Sequence, residues 1–207
     1  MNVCYNRVEI KKYGERPMNY PGTTIEYTGL MGREFLNGTF IATSGLVMQQ
    51  VCEISGLITP TVQNWVTRGF IAHPINRKYD KNALARILLI NSLRGALPLE
   101  SIKRILTYVN GSPENRADDI IPESELYSYV CDIIFDSSFS IGTADDLIDR
   151  AINDYRESIP CAKERLRTAL HIIMNVFLAE KALTQAKNAI DSLPHSNILG
   201  EVIDDKL

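Results

Sequence analysis

The stretch TPTVQNWVTRGF, Thr59 to Phe70, decides how the chain is read, because both its ends and one of its faces follow from local chemistry. A threonine hydroxyl accepts from a free amide of a first helical turn, and proline fits the first helical position, where its missing N–H costs nothing. Thr59 is therefore the predicted N-cap and Pro60 the first helical residue, with Gly69 closing the helix in a left-handed conformation. Val62, Trp65 and Val66 fall at i, i+3 and i+4 and form one apolar face. Thr61, Gln63, Asn64, Thr67 and Arg68 are left outward. That outward face is polar, mostly uncharged and rich in donors and acceptors, which suits either plain solvation or recognition.

The neighbours narrow the choice. Val47, Val51 and Ile54 are spaced as a helical face that ends at Ser55-Gly56, only a few residues before Thr59. Two short helices joined by a tight glycine-containing turn form a helix-turn-helix pattern, whose second helix can enter a major groove. Downstream, FIAHPINRKYD (Phe70 to Asp80) alternates extended-favouring residues with Pro74 and Asn76 and predicts a small two-stranded ribbon. Arg77 and Lys78 lie at or after its tip. Asp80 caps a helix whose inward residues are Leu84, Ile87, Leu88 and Leu93, and Pro98 opens another with Leu99, Ile102, Ile105 and Leu106 inward. Residues 41–111 thus read as one unit of four helices and a ribbon.

Residues 1–40 lack a sustained period and read as an irregular extension with one short strand near Thr24 to Thr28. Residues 112–207 read as helical, with one helix over Glu123 to Phe135 and another opened by a Thr143/Asp146 capping box and running to Ser158. Pro160 opens the longest helix, where Ala169, Ile172, Val176, Ala179, Leu183, Ala186, Ile190 and Leu193 keep a 3,4 spacing. This sustained heptad seam suits either ordinary packing inside one chain or, as its length and its alanines favour, pairing of two chains in a homodimer, the pairing direction being open. Pro194 ends that helix.

Charge is unevenly distributed. The whole chain carries −3, yet residues 1–39, 40–110 and 111–207 carry +1, +5 and −9. Such asymmetry points to a nucleic-acid partner for the middle segment. Cys4, Cys52, Cys131 and Cys161 show no CxxC spacing, so no structural zinc site is expected. Asp145, Asp146 and Asp149 sit in a first helical turn, where the helix dipole favours carboxylates without any cation. No apolar segment follows a basic N-terminus, and the most apolar run, Ala169 to Ala179, is too short to span a bilayer. A cytoplasmic protein without a membrane partner is expected. No phosphate loop, nucleophile motif or metal-ligand spacing is found, so neither an enzyme nor a cofactor is expected.

The segment Thr43 to Leu106 resembles the DNA-binding domain of the MerR family of bacterial transcription regulators. The matching features are a first helix ending in SGL, a threonine-led helix ending in RGF, a following proline, an Arg-x-Tyr wing at Arg77 and Tyr79, and PLESI opening the next helix. The chain as a whole resembles an uncharacterised Gram-positive bacterial subgroup built on such a domain. The resemblance implies a mainly all-α protein, a winged helix-turn-helix domain followed by a helical dimerisation and effector domain with a long C-terminal helix. It implies that Thr61, Gln63, Asn64, Thr67 and Arg68 lie against double-stranded DNA and that Arg77, Lys78 and Tyr79 form the wing, with Arg77 on phosphate. Gln63-Asn64 stands where many relatives carry Arg-Tyr, and an amide there suits adenine. The wing is also shorter than is usual in that family.

Tyr108, Tyr127, Phe135, Tyr155 and Phe177, together with Tyr129 and Phe139, either line a pocket for a hydrophobic or amphipathic small molecule (a drug, a lipid or a bile-acid-like sterol) or fill a helical core. The functional expectation is a dimeric, sequence-specific DNA-binding transcription regulator responsive to such a ligand. The rival is a winged-helix adaptor or antitoxin-like protein that docks protein and has no operator of its own.

Overall fold

A computed structural model describes residues 18–193. Eight helices form among them, in the order α1 (Gly32–Phe40), α2 (Met48–Ser55), α3 (Thr59–Thr67), α4 (Lys81–Leu93), α5 (Leu99–Asn110), α6 (Glu123–Ile134), α7 (Ala144–Ala151) and α8 (Ala162–Asp191). Extended pairing among the described residues is confined to the isolated bridges Asn19–Glu26, Leu46–Tyr79 and Ile75–Lys78. The chain is mainly helical, as expected.

Helix α4 is the hub. Asp80 caps it by accepting from the Ala83 amide at 2.8 Å, and every residue from Ala83 to Ile90 is buried, Arg86 included. A helix apolar all round must be covered on every side, and α4 packs against α6, α1, α2 and α5. The α5 helix by contrast buries one stripe, Ile102, Ile105, Leu106 and Val109. One hydrophobic cluster runs from Tyr20 to Val176. It crosses the boundary expected at residue 111.

The irregular extension expected before residue 40 is corrected for residues 18–40, which are integral to the core. Tyr20 is 1% exposed and stacks on Phe35 of α1 with ring centroids 4.1 Å apart; Tyr27 stacks on Phe135 at 3.7 Å. The Tyr127 hydroxyl donates to Pro21 O at 2.8 Å, and the Asn91 amide donates to Gly22 O and Ser55 O, each at 2.8 Å. Gly22 has φ +68° and presses on the Leu88 carbonyl, leaving no room for a Cβ. The strand predicted near Thr24 to Thr28 reduces to the single bridge at Glu26. Residues 1–17, with Cys4, lie outside the described part.

In the acidic half, α7 ends at Ala151 rather than Ser158. The predicted capping box does not form, because the Thr143 hydroxyl donates to Ser138 O at 2.6 Å. Asp145 and Asp149 face α8, where His171 Nδ1 lies 2.9 Å from Asp145 and Arg167 Nε donates to Asp149 at 2.7 Å. These carboxylates are ion-paired, and no group of three candidate metal ligands occurs among the described residues.

The α8 helix begins at Ala162 after a Cys161 N-cap with φ +64°, two residues later than Pro160. Its 30 residues span about 45 Å. Leu166, Ala169, Leu170, Ile173, Met174 and Val176 are buried, whereas residues 182–193 are all exposed. The predicted seam therefore splits. Ala169 and Val176 are used within the chain, while Ile172, Ala179, Leu183, Ala186, Ile190 and Leu193 are exposed. Leu193 lies just past the helix end, and Pro194 to Leu207 fall outside the described residues. Among the described residues no helix is long and apolar enough to cross a membrane.

Candidate functional site

Helix α3 presents the face read from the sequence. Val62, Trp65 and Val66 are buried, Thr61 is half-buried, and Gln63, Asn64, Thr67 and Arg68 are exposed. The N-terminus begins one residue early: Ile58 is the N-cap, and Thr59 and Pro60 occupy the first two helical positions. The Thr59 hydroxyl is turned toward Cys52 Sγ at 3.7 Å and caps nothing. At the other end Gly69, φ +66°, makes the predicted left-handed stop. Phe70 N donates to Trp65 O at 2.8 Å and Gly69 N to Val66 O at 2.9 Å, the Schellman pair. The α2–α3 turn is also built on a left-handed glycine, Gly56 at φ +69°, with Leu57 buried beneath it.

The predicted ribbon shrinks to a two-residue hairpin. Ile75 and Lys78 exchange both backbone hydrogen bonds, at 3.1 and 2.9 Å. Asn76 and Arg77 form its loop with φ +50° and +61°, the two successive left-handed residues of a type I′ turn. Glycine is the favoured second residue of such a turn, and any other side chain costs about 1–2 kcal/mol there. Arg77 carries that cost while exposed and without an ion-pair partner among the described residues. Tyr79 departs from the wing role implied by the resemblance. It is 2% exposed and joined to Leu46 by backbone bonds of 2.8 Å each way, so it anchors the hairpin and offers no surface for DNA.

Arg68 is on the outward side but engaged. It pairs with Glu100 at 3.0 Å and lies 4.8 Å over the Phe70 ring, on which Lys103 also sits at 5.4 Å. Both members of the Arg68–Glu100 pair are solvent-exposed, so it yields readily to a competing anion. Of the eight basic residues of 40–110, Arg68, Arg77, Lys78, Lys81, Arg94, Lys103 and Arg104 reach the surface, while Arg86 is internal.

Arg86 is the residue that sequence reading missed. Its Nε donates to Phe70 O at 2.7 Å and its Nη1 to Glu123 Oε1 at 3.1 Å. It therefore holds the chain just past α3 and ties it to the first residue of α6. Burial depresses the arginine's pKa against the pull of Glu123. Asp119 stands in the same group, its carboxyl pushed up to about 6 by burial and by Glu123 and Asp118. An arginine inside the apolar run LARILLI was the available signal.

The five aromatic residues considered for an effector pocket do not share one, which corrects that expectation. Tyr127 and Phe135 fill the core with Tyr20 and Phe35. Tyr108 is exposed under Arg165, and Phe177 is half-buried on α8. Tyr155 lines a cleft of about 580 Å³, whose walls include Tyr129, Ile121, Ala151, Arg33 and Arg156. A smaller cleft of about 320 Å³ lies on the other side of the Arg33–Glu125 pair.

Comparison with known proteins replaces the MerR assignment. The family model that matches, over residues 42–130, is described as a domain of unknown function, DUF1836, and not as MerR. The matched stretch runs from the segment before α2 into α6. The chain is 31% identical over 91 residues to the uncharacterized protein YkrK of Bacillus subtilis, a match spanning 41% of this chain and 39% of that protein. No solved structure matches the chain. What the comparisons support is similarity of the α2–α6 region to DUF1836, a domain described without a function.

Proposed function

We propose that the protein is a dimeric DNA-binding transcription regulator in which α2 and α3 act as a helix-turn-helix and the 75–78 hairpin as a short wing. The observation that carries this reading is Arg77, held exposed and in no ion pair among the described residues, at a left-handed turn position where glycine would fit better. Strain retained at one surface residue is accounted for when that residue grips a partner. A phosphate is the natural partner of an exposed guanidinium beside Lys78. The outward amides of Gln63 and Asn64 then face base edges and supply sequence preference, with Thr61, Thr67 and Arg68 beside them.

The uncovered half of α8 supports a second copy of the chain as partner. Leu183 and Ile190 are 56% and 65% exposed, with Ala179 and Ala186 alternating between them at heptad spacing. Small residues between large ones allow close helix approach, and a paired strip excludes water from an apolar surface that a monomer would leave wet. Two recognition helices in one dimer would read half-sites about one helical turn apart.

Gel shift of the full chain against genomic fragments of its source organism tests the reading. Retarded fragments that share a two-half-site sequence and weaken steeply with salt are expected. No retarded fragment at low salt would overturn it and favour the winged adaptor that docks protein.

A further inference from the structure

We propose that the cleft between α6, the end of α7 and residues 152–156 binds small amphipathic carboxylates, the acid group on Arg156 and the apolar body between Tyr155 and Tyr129. The volume, about 580 Å³, falls in the range of roughly 300–1,000 Å³ used for small ligands. Its walls divide by chemistry. Ile121 and Ala151 with the two tyrosine rings supply apolar surface, and the charged lining groups are Arg33, Glu125, Asp154 and Arg156.

Two of those four charges neutralise each other. Arg33 pairs with Glu125 at 3.2 Å, and Glu125 also accepts from the Tyr129 hydroxyl at 3.4 Å. Asp154 accepts from the Asn153 amide at 3.1 Å. Arg156 is exposed and is in no ion pair among the described residues. The cleft therefore offers one uncommitted cation above apolar walls, which selects an anion carrying an apolar body. Glu125 is neutralised by Arg33 and Asp154 is held by the neighbouring Asn153 amide, which leaves Arg156 as the cation open to an acid group. Tyr155 is fixed for this role, its hydroxyl donating to Ile120 O at 2.7 Å, which leaves its ring and not its polar tip as contact surface.

Isothermal titration of the full chain, without DNA, with decanoate and with 2-naphthoate tests the site. This keeps the result separate from the DNA reading. Saturable binding of either acid at one site per chain is expected; decanoate alone assigns an aliphatic ligand and naphthoate alone an aromatic one. Decanol and decylamine should each bind at least tenfold more weakly than decanoate. Arg156→Glu should weaken the acid at least tenfold, and Ala151→Trp should do the same by filling the cleft. Should Ala151→Trp fail to fold, the exposed Arg156→Glu and Arg156→Gln variants decide the matter. No binding of either acid, equal binding of decanoate and decanol, or unchanged binding in the Arg156 variants overturns the proposal. So does loss of binding in Leu183→Asp with binding kept in Arg156→Glu, which would move the ligand to the uncovered strip of α8.

Discussion

Arg86 Nη1 lies 3.1 Å from Glu123 Oε1, with both side chains no more than 3% exposed, and the same guanidinium holds the carbonyl of Phe70. A buried ion pair gains little over a well-packed apolar pair, but removing one partner strands the other charge in a low dielectric. Glu123→Ala or Arg86→Ala should each cost about 3–5 kcal/mol in urea unfolding. Arg86→Met with Glu123→Leu should recover most of the loss. Single variants as stable as the parent would show that the pair does not lock α6 to the chain past α3.

Asp119 sets an acid-side pH dependence. Its folded carboxyl titrates at about 6 against an ordinary 3.8, because burial and the charges of Glu123 and Asp118 disfavour ionisation. The folded state holds the proton more tightly than the unfolded state, so stability falls as pH rises through that window and levels off above it. Asp119→Asn should remove this slope. Urea midpoints at pH 4 and pH 7 check it: the variant should gain on the parent at the higher pH, and a constant difference between them would contradict the assignment.

At the hairpin tip, stability and binding should move in opposite directions. Arg77→Gly relieves a left-handed arginine and should stabilise the fold by about 1 kcal/mol. The same change should weaken DNA binding at every sequence and lower the salt slope by about one. Fluorescence anisotropy across a salt series, with thermal unfolding alongside, measures both; a variant that binds DNA as the parent does would remove Arg77 from the interface.

Asn64→Ala should act differently, changing preference among sites by about 1–3 kcal/mol at one base position while leaving non-specific affinity and salt slope in place. Binding selection on randomised duplexes reads this directly. An equal loss at all sequences would place Asn64 on the backbone instead of a base edge.

Leu183→Asp puts a charge in the centre of the uncovered strip of α8 and should convert a dimer to a monomer in light scattering, with the helical content of the chain unchanged. Leu183 touches no core in its own chain, being 56% exposed. An unchanged mass would mean that α8 pairs by another face or not at all.

Helix α3 was legible because its signals are local: Val62, Trp65 and Val66 on one face and Gly69 at its end. Its first residue was misplaced by one: the backbone turns helical after Ile58, which has no side-chain acceptor to mark it as a cap, and the Thr59 hydroxyl lies beside Cys52. Residues 18–40 were opaque for a different reason. Tyr20, Tyr27 and Phe35 follow no helical or strand period, and their burial comes from partners a hundred residues away, Tyr127 and Phe135. The aromatic residues of the acidic half misled in the same way, since spacing along the chain cannot say which rings meet. In the candidate site the polar face of α3 and the basic tip were readable. The burial of Tyr79 was not, because an Arg-x-Tyr pattern does not reveal that the tyrosine alternates inward across a two-residue turn. Arg86 signalled its own oddity within an apolar run, but its counter-charge is 37 residues distant, beyond any local rule.

The Arg86–Glu123 pair also decides what can be cut or transplanted. A charge lodged in the segment that presents α3, with its counter-charge on the helix that opens the acidic half, makes the two segments obligate companions. A fragment ending near Gly111 would carry an arginine in its centre with nothing to neutralise it. The α2–α5 unit of this chain is therefore not a cassette: grafting it onto another protein requires α6 to travel with it, and fusions should be joined after Ile134.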